Sequence, residues 1–226
     1  RTSLWQYYDF SKRLALASWI ESDQFFHTEN QRYSLYLGVE YKPVPQVRVV
    51  PLLGYSWDYR DGSLDQGISP ALKVGIRHKW DDGLQTQTDI FVRYKNITPR
   101  QQRNLSLQNL WAYAVEDQAQ ISFGLKAGSN EIDDYRSGST ERIISDTLNP
   151  VLSLRYRILP GWYWETENQI QITRRSFLYE PFEANETEFN SLRFGQTAFY
   201  TLQKLAYSKN KVRAYFSYEY EYIVRR

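Results

Sequence analysis

Arg32-Tyr33-Ser34-Leu35-Tyr36-Leu37-Gly38-Val39-Glu40-Tyr41-Lys42 alternates without interruption. Tyr33, Leu35, Leu37, Val39 and Tyr41 fall on one parity, and Arg32, Ser34, Gly38 and Glu40 fall on the other, with amphipathic Tyr36 among them. Successive side chains of a strand point to opposite faces, so a period of two describes a strand with one apolar and one polar side. The same alternation runs through Val47 to Tyr59, with Val47, Val49, Pro51, Leu53, Tyr55, Trp57 and Tyr59 against Arg48, Gly54, Ser56 and Asp58. It runs again through Ile68 to Trp80, where Ile68, Leu72, Val74, Ile76 and His78 oppose Ser69, Lys73, Gly75, Arg77 and Lys79.

Weaker versions span Leu84 to Asn96, Leu105 to Val115, Gln120 to Ser129, Val151 to Leu159, Trp162 to Arg175, Phe189 to Leu202 and Val212 to Val224. With Ser3 to Phe10 and Leu14 to Ser22, the count is twelve strands. Several exceed ten residues, long against a usual strand of about five to six. The 226 residues suit one sheet-based domain, taken as 1–226.

Connections alternate in length. Short turns are expected at Ser11-Lys12-Arg13, Pro43-Val44-Pro45, Asp81-Asp82-Gly83, Glu116-Asp117-Gln118, Pro160-Gly161 and Ser208-Lys209-Asn210, where Gly, Pro, Asp and Asn supply tight-turn geometry. Longer polar links are expected around His27 to Asn30, Asp61 to Ser63, Thr98 to Arg100, Asp133 to Arg136 and Glu180 to Glu183. Tyr41, Trp80, Tyr113 and Trp162 lie beside the short turns, while Tyr33, Trp57, Tyr59, Tyr94 and Phe177 lie near the long links. Two aromatic girdles with Leu37, Leu53, Val74 and Leu154 between them are what a bilayer-spanning sheet requires.

The expected fold is therefore all-β: an antiparallel up-and-down transmembrane barrel of about twelve strands. A soluble β-sandwich would bury the aromatics in its core, and a lipocalin-like cup would turn the apolar parity inward. Glycines on the polar parity, Gly38, Gly54, Gly75 and Gly124, suit a crowded interior and speak against the cup. No stretch reaches the roughly 18 apolar residues of a membrane-spanning helix.

These alternating strands, the size and the charged parity resemble the outer-membrane β-barrels of Gram-negative bacteria. Among them the chain is most similar to the small monomeric porins of about a dozen strands, including those specific for acidic oligosaccharides. That resemblance implies an outer-membrane location, a monomer, contacts with outer-membrane lipid and lipopolysaccharide, and passive transport of small anionic solutes or oligosaccharides.

With the apolar parity toward lipid, the other parity lines a lumen. Its bases are Arg48, Arg60, Lys73, Arg77, Lys79, Arg93, Lys95, Lys126, Arg155, Arg157, Arg175, Arg193 and Arg213. Its acids are Glu40, Asp58 and Asp89, with Glu165, Glu167, Glu219 and Glu221 gathered in the late strands. Arrays of Arg and Lys lower the barrier to anions, and inward Tyr36, Phe91, Tyr163 and Tyr215 offer stacking surfaces to sugars. The same charges could instead pair across a small barrel and plug it. A plugged barrel would be a structural, adhesion or loop-binding protein, or the membrane part of a polysaccharide-export protein.

Other chemistries find less support. A net charge of +2 gives no nucleic-acid footprint, and the absence of cysteine removes thiolate metal sites and cysteine nucleophiles. His78 falls on the lipid parity, and His27 lies in a polar link with Glu29, not Ser, two residues on, so neither suggests a catalytic triad. No enzyme activity, cofactor or metal is expected; the acidic runs Glu131 to Asp134 and Glu180 to Glu188 lack the ligand spacing of a dedicated cation site. The sequons at Asn96, Asn104 and Asn185 carry no expected role.

One conflict concerns orientation. Twelve strands counted from Ser3 bring both ends to the rim with the long links, opposite to the usual arrangement. The first strand is miscounted, the rims are inverted, or flanking strands are missing and the parent barrel has about fourteen.

Overall fold

The computed structural model describes residues 2–24, 31–60, 63–80, 83–97, 100–115, 118–136, 139–181, 192–209 and 212–224. Twelve strands form: β1 (Thr2–Asp9), β2 (Leu14–Gln24), β3 (Gln31–Tyr41), β4 (Val47–Arg60), β5 (Ser63–Lys79) and β6 (Leu84–Ile97), followed by β7 (Arg100–Val115), β8 (Ala119–Arg136), β9 (Ser139–Leu159), β10 (Trp162–Pro181), β11 (Leu192–Lys209) and β12 (Val212–Val224). Each pairs antiparallel with its sequence neighbours, and β1 pairs with β12 from Thr2↔Tyr218 to Tyr8↔Val212. The sheet is a closed barrel. Closure satisfies the backbone without further strands, so the ring holds twelve and not fourteen. β1 begins and β12 ends on the same rim as the links near residues 25–30 and 182–191, so the orientation conflict is a feature of the ring itself.

The expected parity holds on the cleanest strands. Leu53 is 67% exposed and Leu37 56%, whereas Glu40, Ser56 and Ser69 are 0% exposed. An apolar belt therefore faces outward and the polar parity faces inward. Tyr41, Trp80, Tyr113 and Trp162 are exposed at the short-turn rim, and Tyr33 and Tyr59 at the other, as two girdles require. The Phe177 side chain lies outside the described residues. At the short-turn rim, Gly83 (φ 77°) and Gly161 (φ 86°) take left-handed backbone that a side chain would strain.

The breaks between β2 and β3, β4 and β5, and β6 and β7 fall at the links expected from the sequence, but the later links are displaced. β8 continues through Asp133 to Arg136, β9 starts at Ser139 rather than Val151, β10 reaches Pro181, and β5 and β7 start at Ser63 and Arg100. These segments extend the hairpins with apolar and polar residues on both faces, Ile143 and Ile144 lying on opposite sides among Glu141, Arg142 and Asp146, so the alternation that marks a half-buried strand disappears. Strands β8, β9 and β10 have 18, 21 and 20 residues, against 8 in β1 and 11 in β2 and in β3. A bilayer needs about 9–11 residues per tilted strand, so the wall is low at β1 to β3 and high at β8 to β10. On the outer side of that wall Arg142 Nε meets Asp133 Oδ1 at 2.7 Å and Glu131 Oε1 at 3.2 Å, and Arg103 reaches Glu131 at 3.4 Å. In the acidic run Glu131 to Asp134, Glu131 and Asp133 thus hold arginines.

Candidate lumen site

The interior has two unlike halves. Along β1 to β6 it is dry. Trp5, Trp19 and Tyr36 stack in sequence, with ring centroids 4.7 Å and 4.4 Å apart. Tyr7, Val50, Leu52 and Ala71 pack with them, and Phe91 and Tyr215 lean against the cluster. Tyr36 lies flat over Gly54, where a Cβ would come 2.2 Å from its ring, so the glycine makes room for the aromatic. Trp5, Tyr7 and Trp19 were not among the expected lumen residues. Their signal is the apolar character of both parities: Leu4 and Tyr8 against Trp5 and Tyr7, and Leu16 and Ile20 against Ala17 and Trp19.

Around this cluster most charges are paired. Arg93 Nη1 donates to Glu21 Oε2 at 2.6 Å, and Lys95 Nζ lies 3.4 Å from the same oxygen. Near one rim Asp58 accepts from Arg32 at 3.1 Å and from Arg100 at 3.0 Å, and Arg100 reaches Asp65 at 3.5 Å. Toward the short turns, Glu40 accepts from Arg213 at 2.7 Å and pairs with Lys42 at 2.9 Å, while Arg213 also holds Asp9 at 2.5 Å. Glu40 and Asp58, which read as scattered acids in the sequence, are the centres of these networks.

Lys95 also donates to Ser34 at 2.9 Å, and a serine ladder continues from Ser34 to Ser56 at 2.8 Å and to Ser69 at 2.7 Å. A Ser–Lys pair is a known nucleophile arrangement, but Lys95 and Ser34 are each only 1% exposed. No substrate reaches that hydroxyl; the ladder ties β3, β4 and β5 together.

The wall from β8 to β12 carries polar and charged side chains in place of the ring cluster. Lys126 keeps 31% of its side-chain exposure, Glu165 25% and Lys204 23%. Glu165 pairs with Lys204 at 2.9 Å and Glu167 with Lys126 at 3.6 Å, so two of the four late-strand acids have cation partners. Glu167 also accepts from Gln169, which in turn accepts from Asn149. Lys204 was absent from the expected set; its neighbours Leu202 and Ala206 share its inward parity and hide the alternation there.

The expected lumen residues divide accordingly. Arg93, Lys95 and Arg213 are bound in buried networks. Arg48 lies 3.7 Å from Glu40 and 3.5 Å from Asp89. Lys73, Arg155 and Arg175 take inward register positions, and Arg77, Lys79 and Arg157 are inward and exposed toward the short-turn mouth. Glu219 sits inward on β12. Register places Arg193 opposite Ser176 on β10. The side chains of Arg60, Arg193 and Glu221 lie outside the described residues, as do His27 and the sequon Asn185. His78 faces outward beside Trp80, their rings 4.6 Å apart.

The lipid face carries a shallow groove lined by Leu152, Ile170, Phe199, Tyr220 and Tyr222, with Asn168 and Thr201 hydrogen-bonded at 2.7 Å among them.

No family model matches the chain, and no curated protein matches it. Among solved structures it is similar to the alcaligin outer-membrane receptor FauA of Bordetella pertussis, with 11% identity and a TM-score of 0.43 over 96% of this chain and 43% of that one. The chain spans less than half the length of FauA. It is also similar to the β domain of the Bordetella autotransporter BrkA, with 12% identity and a TM-score of 0.39 over 98% and 96% of the two chains. A bacterial polysaccharide outer-membrane secretin gives 7% identity and a TM-score of 0.34 over 99% and 97%. Likeness of this degree concerns architecture alone. Closure, the exposed apolar belt and the paired aromatic girdles of this chain make it a β-barrel of the outer-membrane type.

Proposed function

We propose that this barrel passes small hydrophilic anions across the outer membrane along an off-axis route between β5 and the wall β8 to β12. The aromatic cluster occupies the other side of the interior, so the route is narrow and eccentric. One observation carries the reading. Among the described residues, Lys73, Arg77 and Arg155 face the lumen with no carboxylate within ion-pair distance, while the inward carboxylates Glu21, Glu40, Asp58, Glu165 and Glu167 each have a cation. Exposed Arg77, Lys79 and Arg157 add positive potential at the short-turn mouth, which raises the local anion concentration. No covalent step, metal or cofactor belongs to this reading. Its partners are outer-membrane lipid and lipopolysaccharide around a monomer, with anionic solutes or oligosaccharides in the lumen.

A second reading is favoured by the Trp5–Trp19–Tyr36 stack and the density of ion pairs: a plugged barrel that acts through its rims, as a structural, adhesion, loop-binding or polysaccharide-export component. Planar-bilayer recording under a KCl gradient separates the two. Conduction with a reversal potential on the chloride side supports the anion route; absence of conductance, or cation preference, rejects it.

A further inference from the structure

We infer that the lumen holds a binding site for a multivalent oxyanion of the phosphate class, built by Arg48, Lys73, Arg77, Arg155 and Lys204. The inference rests on the hydrated lumen of the proposed route and adds a defined ligand to it. These side chains come from four strands. Arg48 on β4 stands opposite Gly75 in register, between Lys73 and Arg77 on β5, and Arg155 on β9 stands opposite Glu165, whose other neighbour is Lys204 on β11. The two walls face one another across the lumen: Lys73 lies over Trp5 and Lys204 over Tyr215, whose rings are stacked 6.2 Å apart, and Arg77 feels Arg48 and Asp89 on one side and Arg155 and Glu165 on the other. Lys73 likewise lies within range of Arg48, Arg77 and Lys204.

Five cations share this region with Asp89 and Glu165, and Arg48 also reaches Glu40, already held by Arg213 and Lys42, at 3.7 Å. Asp89 lies 3.5 Å from Arg48 and accepts a hydrogen bond from Gln87, while Glu165 is engaged by Lys204 at 2.9 Å. Arg48 divides between Glu40 and Asp89 and Lys204 holds Glu165, so Lys73, Arg77 and Arg155 are left with no carboxylate at ion-pair distance. Such an excess in a confined space of low dielectric is costly unless an anion or water compensates it.

The cations are also held in place. Aromatic rings support three of them: Lys73 lies 4.8 Å from the Trp5 centroid, Lys204 4.6 Å from Tyr215, and Arg155 4.2 Å from Tyr163. A Cβ at Gly75 would come 3.0 Å from Asp89 Oδ1 and 3.4 Å from Arg48 Nε, so the glycine leaves the space in which that pair lies. Arg155 Nε is buried without a hydrogen-bond partner, a donor left over after the protein contacts are made. Guanidinium groups converging from opposite walls suit an anion with several oxygens and more than one charge. Chloride or a lone carboxylate would satisfy one of the three excess charges.

The test uses the folded barrel in detergent and in planar bilayers, with inorganic phosphate as the probe and acetate at equal ionic strength as the comparison. Calorimetric titration is expected to show saturable phosphate binding and none of acetate. The double variant Arg77→Gln/Arg155→Gln is expected to weaken phosphate binding about tenfold or more, roughly 1.4 kcal/mol. Arg103→Gln, on the outer face, is expected to leave binding unchanged. In bilayers, phosphate is expected to reduce the chloride current. Anion-selective current with no saturable phosphate binding overturns the site while leaving the route intact. Saturable binding in a barrel that does not conduct keeps the site and rejects the route. Equal weakening by Arg103→Gln overturns the site, because it reduces the effect to net charge.

Discussion

Arg213 on β12 reaches Glu40 on β3 at 2.7 Å, and Glu40 is 0% exposed. The bond joins β12, on one side of the closure seam, to the third strand beyond it, with Arg213 also holding Asp9 on β1. β1 and β12 share only the register from Thr2 to Tyr8, so this interior clamp reinforces the shortest ladder in the ring. Replacing Glu40 by Ala takes the carboxylate from Lys42 and leaves Arg213 with Asp9 alone. Losing one partner of a buried pair costs about 3–5 kcal/mol, and the expected result is a lower urea midpoint for the barrel folded in lipid vesicles. A midpoint equal to that of the unaltered protein would mean that the clamp contributes nothing.

Trp19 stacks between Trp5 and Tyr36 and fills the dry half of the lumen. Trp19→Ala is expected to destabilise the barrel by about 3–5 kcal/mol, as large-to-small changes in a filled core do. If the route is eccentric because this cluster fills the rest, the same change also raises single-channel conductance. Unchanged conductance would place the permeation path away from the cluster or show that none exists.

The Tyr36 ring and Gly54 make a close approach of backbone and aromatic face. Gly54→Ala drives a methyl into that ring, and overpacking of this kind costs about 1–3 kcal/mol. The double change Gly54→Ala/Tyr36→Ala is expected to recover part of the loss attributable to the clash. Denaturant titration of the single and double variants reads the coupling directly; strict additivity would contradict the contact.

Arg77 is exposed at an inward position near the short-turn mouth, with no carboxylate at ion-pair distance. Arg77→Glu is expected to reduce or reverse anion preference, seen as a shift of the zero-current potential toward the cation side under a salt gradient. Arg93→Gln removes a cation that Glu21 already neutralises, so its expected cost falls on stability more than on selectivity. The opposite ranking of the two variants would move the selectivity determinant up to the Glu21 network.

How much of this was legible in the sequence depends on depth in the membrane. Within the belt, one face meets lipid and the other the lumen, so Val47 to Tyr59 and Ile68 to Trp80 could be read residue by residue. Toward the other rim, Ser139 to Pro150 extends β9 with polar and apolar residues mixed on both faces, Ile143 beside Ile144, and alternation fades although strand pairing continues. Where the lumen is filled by rings, as at Trp5 and Trp19, both parities are apolar and the inward side is equally hidden. Charge pairing was the least legible feature: Arg93 and Glu21 lie 72 residues apart, and barrel closure alone makes them neighbours. Lys73, Arg77 and Arg155 stood in the expected lumen set from parity, but which cations lacked a carboxylate followed only from the three-dimensional arrangement.

Leu53 and Leu72 belong to the outward belt, whereas Lys73 and Arg77 point inward. Leu53→Arg is expected to destabilise the folded barrel in lipid by about 2–4 kcal/mol, the depth-dependent cost of a charge on the lipid face. Little or no effect in vesicle refolding would place Leu53 outside the hydrocarbon.

The chain has no cysteine, so single cysteines can be introduced along β4 and β5 and spin-labelled without background. In reconstituted bilayers, labels at Leu53, Leu72 and Ile76 are predicted to collide with oxygen, which concentrates in hydrocarbon, and labels at Arg48, Lys73 and Arg77 with a water-soluble nickel complex. Strict alternation of the two accessibilities is the predicted result. Reversed alternation, or uniform access of the nickel complex to all six positions, would contradict the assignment of the oily parity to lipid and the charged parity to an enclosed aqueous space.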